Sequence, residues 1–275
     1  MSSKYNSFAR YFLFLSAFAL IFSATGCGKE EGCTDPNSLN FSPTAEVDDG
    51  TCEYPQVGNL NLHFHAKAGS SNLTLGSELT DADGRKIQFN VARFYISNIR
   101  LHQDGGGMLP LTDTYVQVNA STMEYAIDFA IPSGHYHGIM FDVGVDDAAN
   151  TGDPSLWPTG HPLSSTNPTF DHWSWATGYK FLRLEGLVDT TAAMNATANA
   201  EFIYHVGLGY NRRTVDIEQH FNVEFNSTPT VHLDVDWLDF LENVDLTTQL
   251  NTVTMNDSAL AATIINRVPT AIVAE

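Results

Sequence analysis

The 275-residue chain is predicted to fold as an all-β, antiparallel β-sandwich with long loops and a short C-terminal helix. About nine segments are rich in β-branched and aromatic residues and are separated by Gly, Pro, Asn and Asp. Apolar and polar side chains alternate along residues 59–65, which is the period of a half-buried strand. Helical periodicity is confined to Asp236–Leu241 and Ser258–Asn266.

The strand segments are Asn59–His65, Ile87–Leu101, Tyr115–Val118, Tyr125–Phe129, Ile139–Val145, Tyr179–Leu187, Glu201–Val206, Val215–Phe225 and Thr230–Asp236. The short terminal helix starts where Asp257 or Ser258 can cap its first turn. The longest loop runs from Asp146 to Asp171, and a loop of that length in a compact domain usually serves a function.

Composition excludes nucleic acid as a partner, and the lack of catalytic motifs disfavours catalysis. The chain has 32 acidic and 13 basic residues, for a net charge of −19. Nucleic-acid affinity depends on Lys and Arg displacing counterions, so we exclude a nucleic-acid role. No nucleophile elbow, HExxH motif or Walker loop is present in the sequence, and we therefore expect a binding protein rather than an enzyme.

Residues 1–26 are predicted to be a lipoprotein signal peptide. Lys4 and Arg10 precede the apolar run Tyr11–Ala24, which is too short to span a bilayer. The run ends in small residues before Cys27, which resembles a bacterial lipobox, and the GKEE that starts at Gly28 resembles an export signal of Bacteroidetes-type lipoproteins. We expect an outer-membrane lipoprotein on the periplasmic or cell-surface face, held by its lipid alone. The alternative is an ordinary signal peptide beside a free cysteine.

Residues 27–56 are predicted to form a lipid-anchored linker that contains a small module. With Cys27 acylated, Cys33 and Cys52 form an even pair that predicts a disulfide in an exported chain. The segment resembles a disulfide-closed module of secreted bacterial proteins. Four oxygen-bearing residues in it are candidate calcium ligands, and their alternative role is to form turns in a stalk. They are Asp35, Asn37, Asp48 and Asp49.

Residues 57–275 form the predicted main domain, and five of its segments carry a family resemblance. They are FYISNIRL at Phe94–Leu101, GHYHGIMFDVGVDDAAN at Gly134–Asn150, FDHWSWATGYKFLRLEG at Phe170–Gly186, FIYHVGLGY at Phe202–Tyr210 and TVHLDVDWLDFLENV at Thr230–Val244. In this order they resemble the MbnP-like family of extracytoplasmic copper-binding proteins, named for an association with the copper chelator methanobactin. The resemblance implies copper as the cofactor, for acquisition, storage or handover.

Imidazole is a good copper ligand, so the histidines are the first candidates. His63 and His65 lie two apart on one strand and face the same side, as metal ligands or as exposed polar residues. His205 matches a histidine-glycine position of the family. Asp171 and His172 replace a Met-Phe pair of many relatives, which shifts the expected preference towards copper(II) or zinc. We expect His65 and His205 to meet beside the two tryptophans of WSW.

Those tryptophans, Trp173 and Trp175, are candidates for modification. Unmodified indole lacks an available lone pair and only lines a site. The family resemblance implies that one tryptophan can be oxidised to kynurenine, whose aniline nitrogen can bind copper. Such an oxidation implies a di-haem peroxidase-like oxidase as a partner. The alternative is that both indoles fill the core.

Two further readings stay open. His135 and His137 repeat the i, i+2 spacing but are interpreted as surface or turn residues. A different function, adhesion or glycan binding without metal, would stack sugars on Trp157, Trp173 or Trp237.

Overall fold

A computed structural model describes residues 29–174 and 177–275. The predicted signal peptide, Cys27 and Trp175 lie outside the described residues. The chain divides into two compact units, Met1–Pro55 and Gln56–Glu275. Among the described residues, no helix is both long and apolar enough to cross a membrane.

Strands form most of the regular structure. They are β1 (Glu31–Gly32), β2 (Val47–Asp48), β3 (Val57–Ala68), β4 (Ser71–Asn72), β5 (Glu78–Thr80), β6 (Lys86–Gln103), β7 (Met108–Pro110), β8 (Val116–Asn119), β9 (Glu124–Pro132), β10 (Gly134–Val143), β11 (His172–Ser174), β12 (Gly178–Val188), β13 (Ala200–Gly207), β14 (Arg213–Val223), β15 (Thr230–Asp236), β16 (Asn251–Thr252) and β17 (Ile272–Ala274). The helices are α1 (Asp147–Asn150), α2 (Ser258–Ile265) and α3 (Val268–Ala271), with short 3-10 turns at Pro154–Leu156, Gly209–Asn211 and Asp239–Leu241.

Two sheets make up the larger unit. The ten-stranded sheet has the order β14-β10-β6-β12-β13-β16, and β5, β7, β8 and β11 pair along it. The five-stranded sheet has the order β17-β15-β3-β4, and β9 also pairs with β3, on the side opposite β15. The predicted β-sandwich is confirmed.

Most neighbouring strands pair antiparallel, as predicted, but both sheets also contain parallel pairs. Strands β3 and β15 run parallel, and so do β13 and β16 and the pair β1 and β2. Parallel neighbours need a long crossover connection, and every strand of the larger sheet except β16 lies between β3 and β15 in the sequence. The parallel pairing of β3 and β15 positions the site described below.

The hydrophobic core lies between the two sheets. Leu62 and Phe64 of β3 share one buried cluster with Tyr204 and Val206 of β13. Because side chains alternate across a strand, the residues between them point to the outer faces of their sheets. Trp237 is fully buried in the same core, so it offers no ring for sugar stacking.

Helical structure is sparse, as predicted. Helix α2 begins where the Asp257 side chain accepts a hydrogen bond from the backbone N–H of Leu260, which confirms the predicted cap. The helical periodicity of Asp236–Leu241 yields only the 3-10 turn Asp239–Leu241, because β15 continues to Asp236. The long loop after Asp146 contains α1 and one 3-10 turn.

The described part of the smaller unit is a turn-rich segment. Its predicted disulfide between Cys33 and Cys52 is confirmed. Strands β1 and β2 pair in parallel beside it.

Candidate metal centre

Three histidines converge on the outer face of the five-stranded sheet. His63 of β3 lies beside His232 of β15 in the parallel register, and His65 follows two residues later on the same face. One nitrogen from each of the three rings lies within 4.8 Å of the others. We call this group the β3–β15 cluster.

The rings in the β3–β15 cluster are in close contact. His65 Nε2 lies 3.3 Å from His232 Nδ1. Ring centroids are 4.3 Å apart for His63 and His65, and 5.0 Å apart for His63 and His232. Imidazole rings at these separations present nitrogens to one small volume, as a shared ion requires.

A carboxylate completes the cluster. Glu275, directly after β17, places Oε2 3.2 Å from His65 Nε2 and 3.4 Å from His232 Nδ1. Its position follows from antiparallel pairing of β17 with β15, in which Asp234 lies opposite Val273. A group of three imidazoles and one carboxylate suits borderline cations such as copper(II) and zinc.

His63 carries an unpaired nitrogen. Its Nδ1 lies 3.4 Å from Oε1 of Glu124 on the neighbouring β9, and its side chain is 16% exposed. Its Nε2 is buried and has no hydrogen-bond partner among the described residues. A proton on Nδ1, held towards the carboxylate, leaves a lone pair on Nε2. A buried, unpaired lone pair costs free energy that a bound cation would remove.

His205 lies elsewhere. It faces Arg183 of β12 in the antiparallel register, and its Nε2 is 2.6 Å from Oε1 of Glu185. The hydrogen bond from His205, together with the Arg183 guanidinium, lowers the pKa of Glu185 to about 2. The expected meeting of His65 and His205 does not occur: the two side chains project from the outer faces of different sheets.

Trp173 accompanies His205 and not the β3–β15 cluster. A Cβ atom built on Gly207 would lie 2.6 Å from Cζ3 of Trp173, so the indole rests directly on that glycine. Gly207 is two residues beyond His205 on β13 and therefore shares its face. Trp173 therefore lies against the same face of β13 as His205, whereas His65 lies on the other sheet.

Asp171 forms ion pairs with basic side chains of the protein itself. This buried carboxylate accepts hydrogen bonds from Arg93 and, at 2.8 Å, from Nη1 of Arg183, and the Lys180 ammonium lies 3.9 Å away. These contacts explain why a carboxylate is stable in this position. They leave it poorly suited to bind a metal ion, contrary to our expectation.

His172 points into an aromatic environment. Its ring stacks on Phe170 at 5.4 Å and meets the edge of Tyr179 at 4.8 Å. Burial lowers the pKa of His172, which keeps the imidazole neutral at physiological pH. Among the residues that the structure describes, it does not join a cluster of three potential ligands.

The candidate calcium ligands form turns. Asp35 Oδ1 accepts the backbone N–H of Asn37 at 2.9 Å, Asp48 Oδ1 accepts that of Gly50, and Asp49 Oδ1 accepts that of Thr51. Such contacts are typical of Asx turns. In the described part of the chain none of these aspartates belongs to a three-ligand group, and calcium gains no support.

The sequence did not identify His232 or Glu275 as ligands. His232 alternates with buried Val231 and Leu233, so its outward direction was readable, but its neighbour across the sheet was not. Glu275 lies outside every motif that the sequence displays. The parallel pairing of β3 with β15 has no local sequence signal, which explains why His232 was missed, and Glu275 reaches the site only through the pairing of β17 with β15.

Comparisons with known proteins agree with this architecture. The family model described as MbnP matches residues 57–256. Among solved structures, MbnP from Methylosinus trichosporium is similar, with a TM-score of 0.52 and 15% sequence identity over 76% of this chain and 87% of that chain. At that identity the similarity establishes a shared fold. No curated protein sequence matches the chain.

Proposed function

Since the chain belongs to the MbnP family, as its motifs predict, we propose that it is a copper-binding protein of the cell envelope. Its role is acquisition, storage or handover of the ion, without turnover of a substrate. The family's association with copper supports the choice of metal. The β3–β15 cluster is our proposed binding site.

The observation that carries this proposal is the convergence of His63, His65 and His232 around an unpaired nitrogen. One nitrogen from each of the three imidazoles lies within 4.8 Å of the others, close enough for a single borderline cation to bind all three. The buried Nε2 of His63 lacks a hydrogen-bond partner among the described residues, so the metal-free protein leaves one ligand unsatisfied. Copper would remove that penalty.

The surroundings of the β3–β15 cluster favour both the binding and the release of a cation. Glu275 and Glu124 add negative charge at the site, and the chain as a whole carries −19. His232 and Glu275 have side chains 41% and 49% exposed. A binding site with one open side lets a partner approach the ion, as storage or handover requires.

Copper content is the test. The protein purified from the envelope of copper-supplemented bacteria is expected to hold one copper at this cluster, measured by elemental analysis. His65→Ala with His232→Ala should lose that copper. His161→Ala is the matched control, because His161 stacks on Trp157 outside any three-ligand group of the described residues. Undiminished copper in the double variant would contradict the assignment.

A second location for copper is the pair His205 and Trp173. The contact of Trp173 with Gly207, beside His205, supports it. If copper binds there, His205→Ala lowers the copper content and the β3–β15 variants do not. Mass spectrometry of the native protein tests whether Trp173 or Trp175 has become kynurenine, on which the proposed di-haem oxidase partner depends.

The envelope location is also a proposal. It depends on acylation of Cys27, which would tether the protein to the outer membrane by lipid alone. The disulfide between Cys33 and Cys52 supports an exported protein, because disulfides persist in oxidising compartments.

A further inference from the structure

A second group of three histidines lies on the ten-stranded sheet. His135 and His137 project from β10, and His220 projects from the adjacent edge strand β14. Nitrogen atoms of these three rings also lie within 4.8 Å of one another. We call this group the β10–β14 cluster.

A β-bulge creates the cluster. Tyr136 pairs with Phe221, but Gly138 pairs with Glu218, so one extra residue is accommodated on β14 opposite His137. Bulges redirect side chains locally and are common near functional sites. His220 lies within this irregularity, and its ring centroid is 5.1 Å from the ring centroids of both His135 and His137.

A carboxylate holds two of these rings. Asp104 Oδ1 lies 2.9 Å from Nδ1 of His135 and 2.6 Å from Nε2 of His137. An imidazole that donates one N–H to a carboxylate keeps a lone pair on its other nitrogen.

The remaining nitrogen of His135 lies close to the His220 ring. His135 Nε2 lies 3.2 Å from Nδ1 of His220, and the other nitrogen of His220 is 3.7 Å from Oε1 of Glu218. His135 and His220 therefore each have a carboxylate beside one ring nitrogen and another imidazole beside the other. That is the arrangement in which protein histidines bind metals, with carboxylates orienting the rings.

The neighbouring surface is acidic and accessible. A groove of about 450 Å³ is lined by His102, His137, Asp216 and Glu218. The side chains of His135, His137 and His220 are 34%, 41% and 54% exposed. An ion can enter from solvent, and the acidic groups favour its approach.

We propose that the β10–β14 cluster is a second metal site, which binds a divalent borderline ion, Zn²⁺ or Cu²⁺, through His135, His137 and His220. Asp104 orients two of the ligands. The imidazole and carboxylate composition selects this class of ion over Mg²⁺ or Ca²⁺, which prefer oxygen ligands. The proposal is independent of copper binding at the β3–β15 cluster, because the two clusters share no residue and lie on different sheets.

The test removes the first site and titrates the second. Zn²⁺ and, separately, Cu²⁺ are titrated calorimetrically into the His65→Ala, His232→Ala protein at neutral pH. We expect one ion per chain. Adding His137→Ala or His220→Ala should weaken binding at least ~10-fold, and Asp104→Asn should weaken it ~10- to 100-fold by releasing the ring orientation.

His161→Ala in the same background is the matched control and should leave the affinity unchanged. Circular dichroism verifies that each variant is folded, which is expected because the three ligands are solvent-accessible. Absence of a binding isotherm for both ions overturns the proposal. Binding that neither His137→Ala nor His220→Ala weakens overturns it as well. Comparison of the two titrations identifies which ion binds more tightly.

Discussion

Replacing His63 by Phe should have opposite effects on the metal-free and the metal-loaded protein. Phe keeps a flat ring beside His232, whose centroid is 5.0 Å from that of His63, and it removes the buried, unpaired Nε2. A buried polar atom without a partner costs about 1–3 kcal/mol. Because His63 retains 16% exposure, we expect the metal-free variant to be more stable by about 1 kcal/mol.

The stabilisation that copper gives to the protein should nearly vanish in His63→Phe. At a free copper concentration of ~100 times Kd, a site that exists only in the folded protein stabilises it by about 2.7 kcal/mol. Loss of one of three imidazoles should raise Kd by ~100-fold, the upper end of the ~10- to 100-fold loss that follows mutation of supporting groups. At the same copper concentration the variant then gains only about 0.4 kcal/mol.

Thermal unfolding with and without copper measures both quantities. In a domain of this size 1 kcal/mol corresponds to roughly 2–4 °C in Tm. We expect the parent protein to gain about 5–10 °C with copper and His63→Phe to gain about 1–2 °C. Both chains carry His220→Ala, so that the β10–β14 cluster does not contribute.

Two results would refute this reasoning. An unchanged copper-dependent shift in His63→Phe would mean that His63 is not a ligand. A clear loss of stability in the metal-free variant would mean that Nε2 is not an energetic penalty, and the main argument for a cation at this position would fail.

Three further predictions test other parts of the account. Gly207→Ala should destabilise the protein by about 1–3 kcal/mol in urea unfolding, because the new methyl group meets the Trp173 indole and a backbone oxygen; an unchanged midpoint would contradict the packing. Because the pKa of Glu185 is lowered from its ordinary value of 4.5 to about 2, its ionised carboxylate should stabilise the fold by about 1–2 kcal/mol at pH values above 4.5, after solvent screening. This stabilisation should be lost as the pH falls from 4.5 to about 2. His205→Ala should reduce that loss in acid-unfolding curves, whereas superimposable curves would argue against the contact. Cys27→Ser should abolish incorporation of radiolabelled palmitate in growing cells, and labelling that persists would contradict lipid attachment at this residue.

The fold was largely predictable, since alternation along single strands is a local property of the sequence. Residues 59–65 show which side chains enter the core and which do not, and the structure agrees at Leu60, Leu62 and Phe64. The same alternation placed His63 and His65 on one outer face.

The site could be predicted only in part, because its completion depends on distant segments. His65 and His232 are separated by 167 residues, and only the parallel register of β3 and β15 brings them together. Family resemblance directed attention to His205, which instead binds Glu185 at 2.6 Å. Asp171, adjacent to the tryptophan motif, forms ion pairs with Arg93 and with other basic side chains that the sequence did not connect to it.

The most direct measurement is the position of copper in crystals of the copper-loaded protein, from anomalous diffraction at the copper absorption edge. We predict a strong peak among His63, His65 and His232, next to Glu275. A peak beside His205 and Trp173, with none at the three histidines, would contradict it.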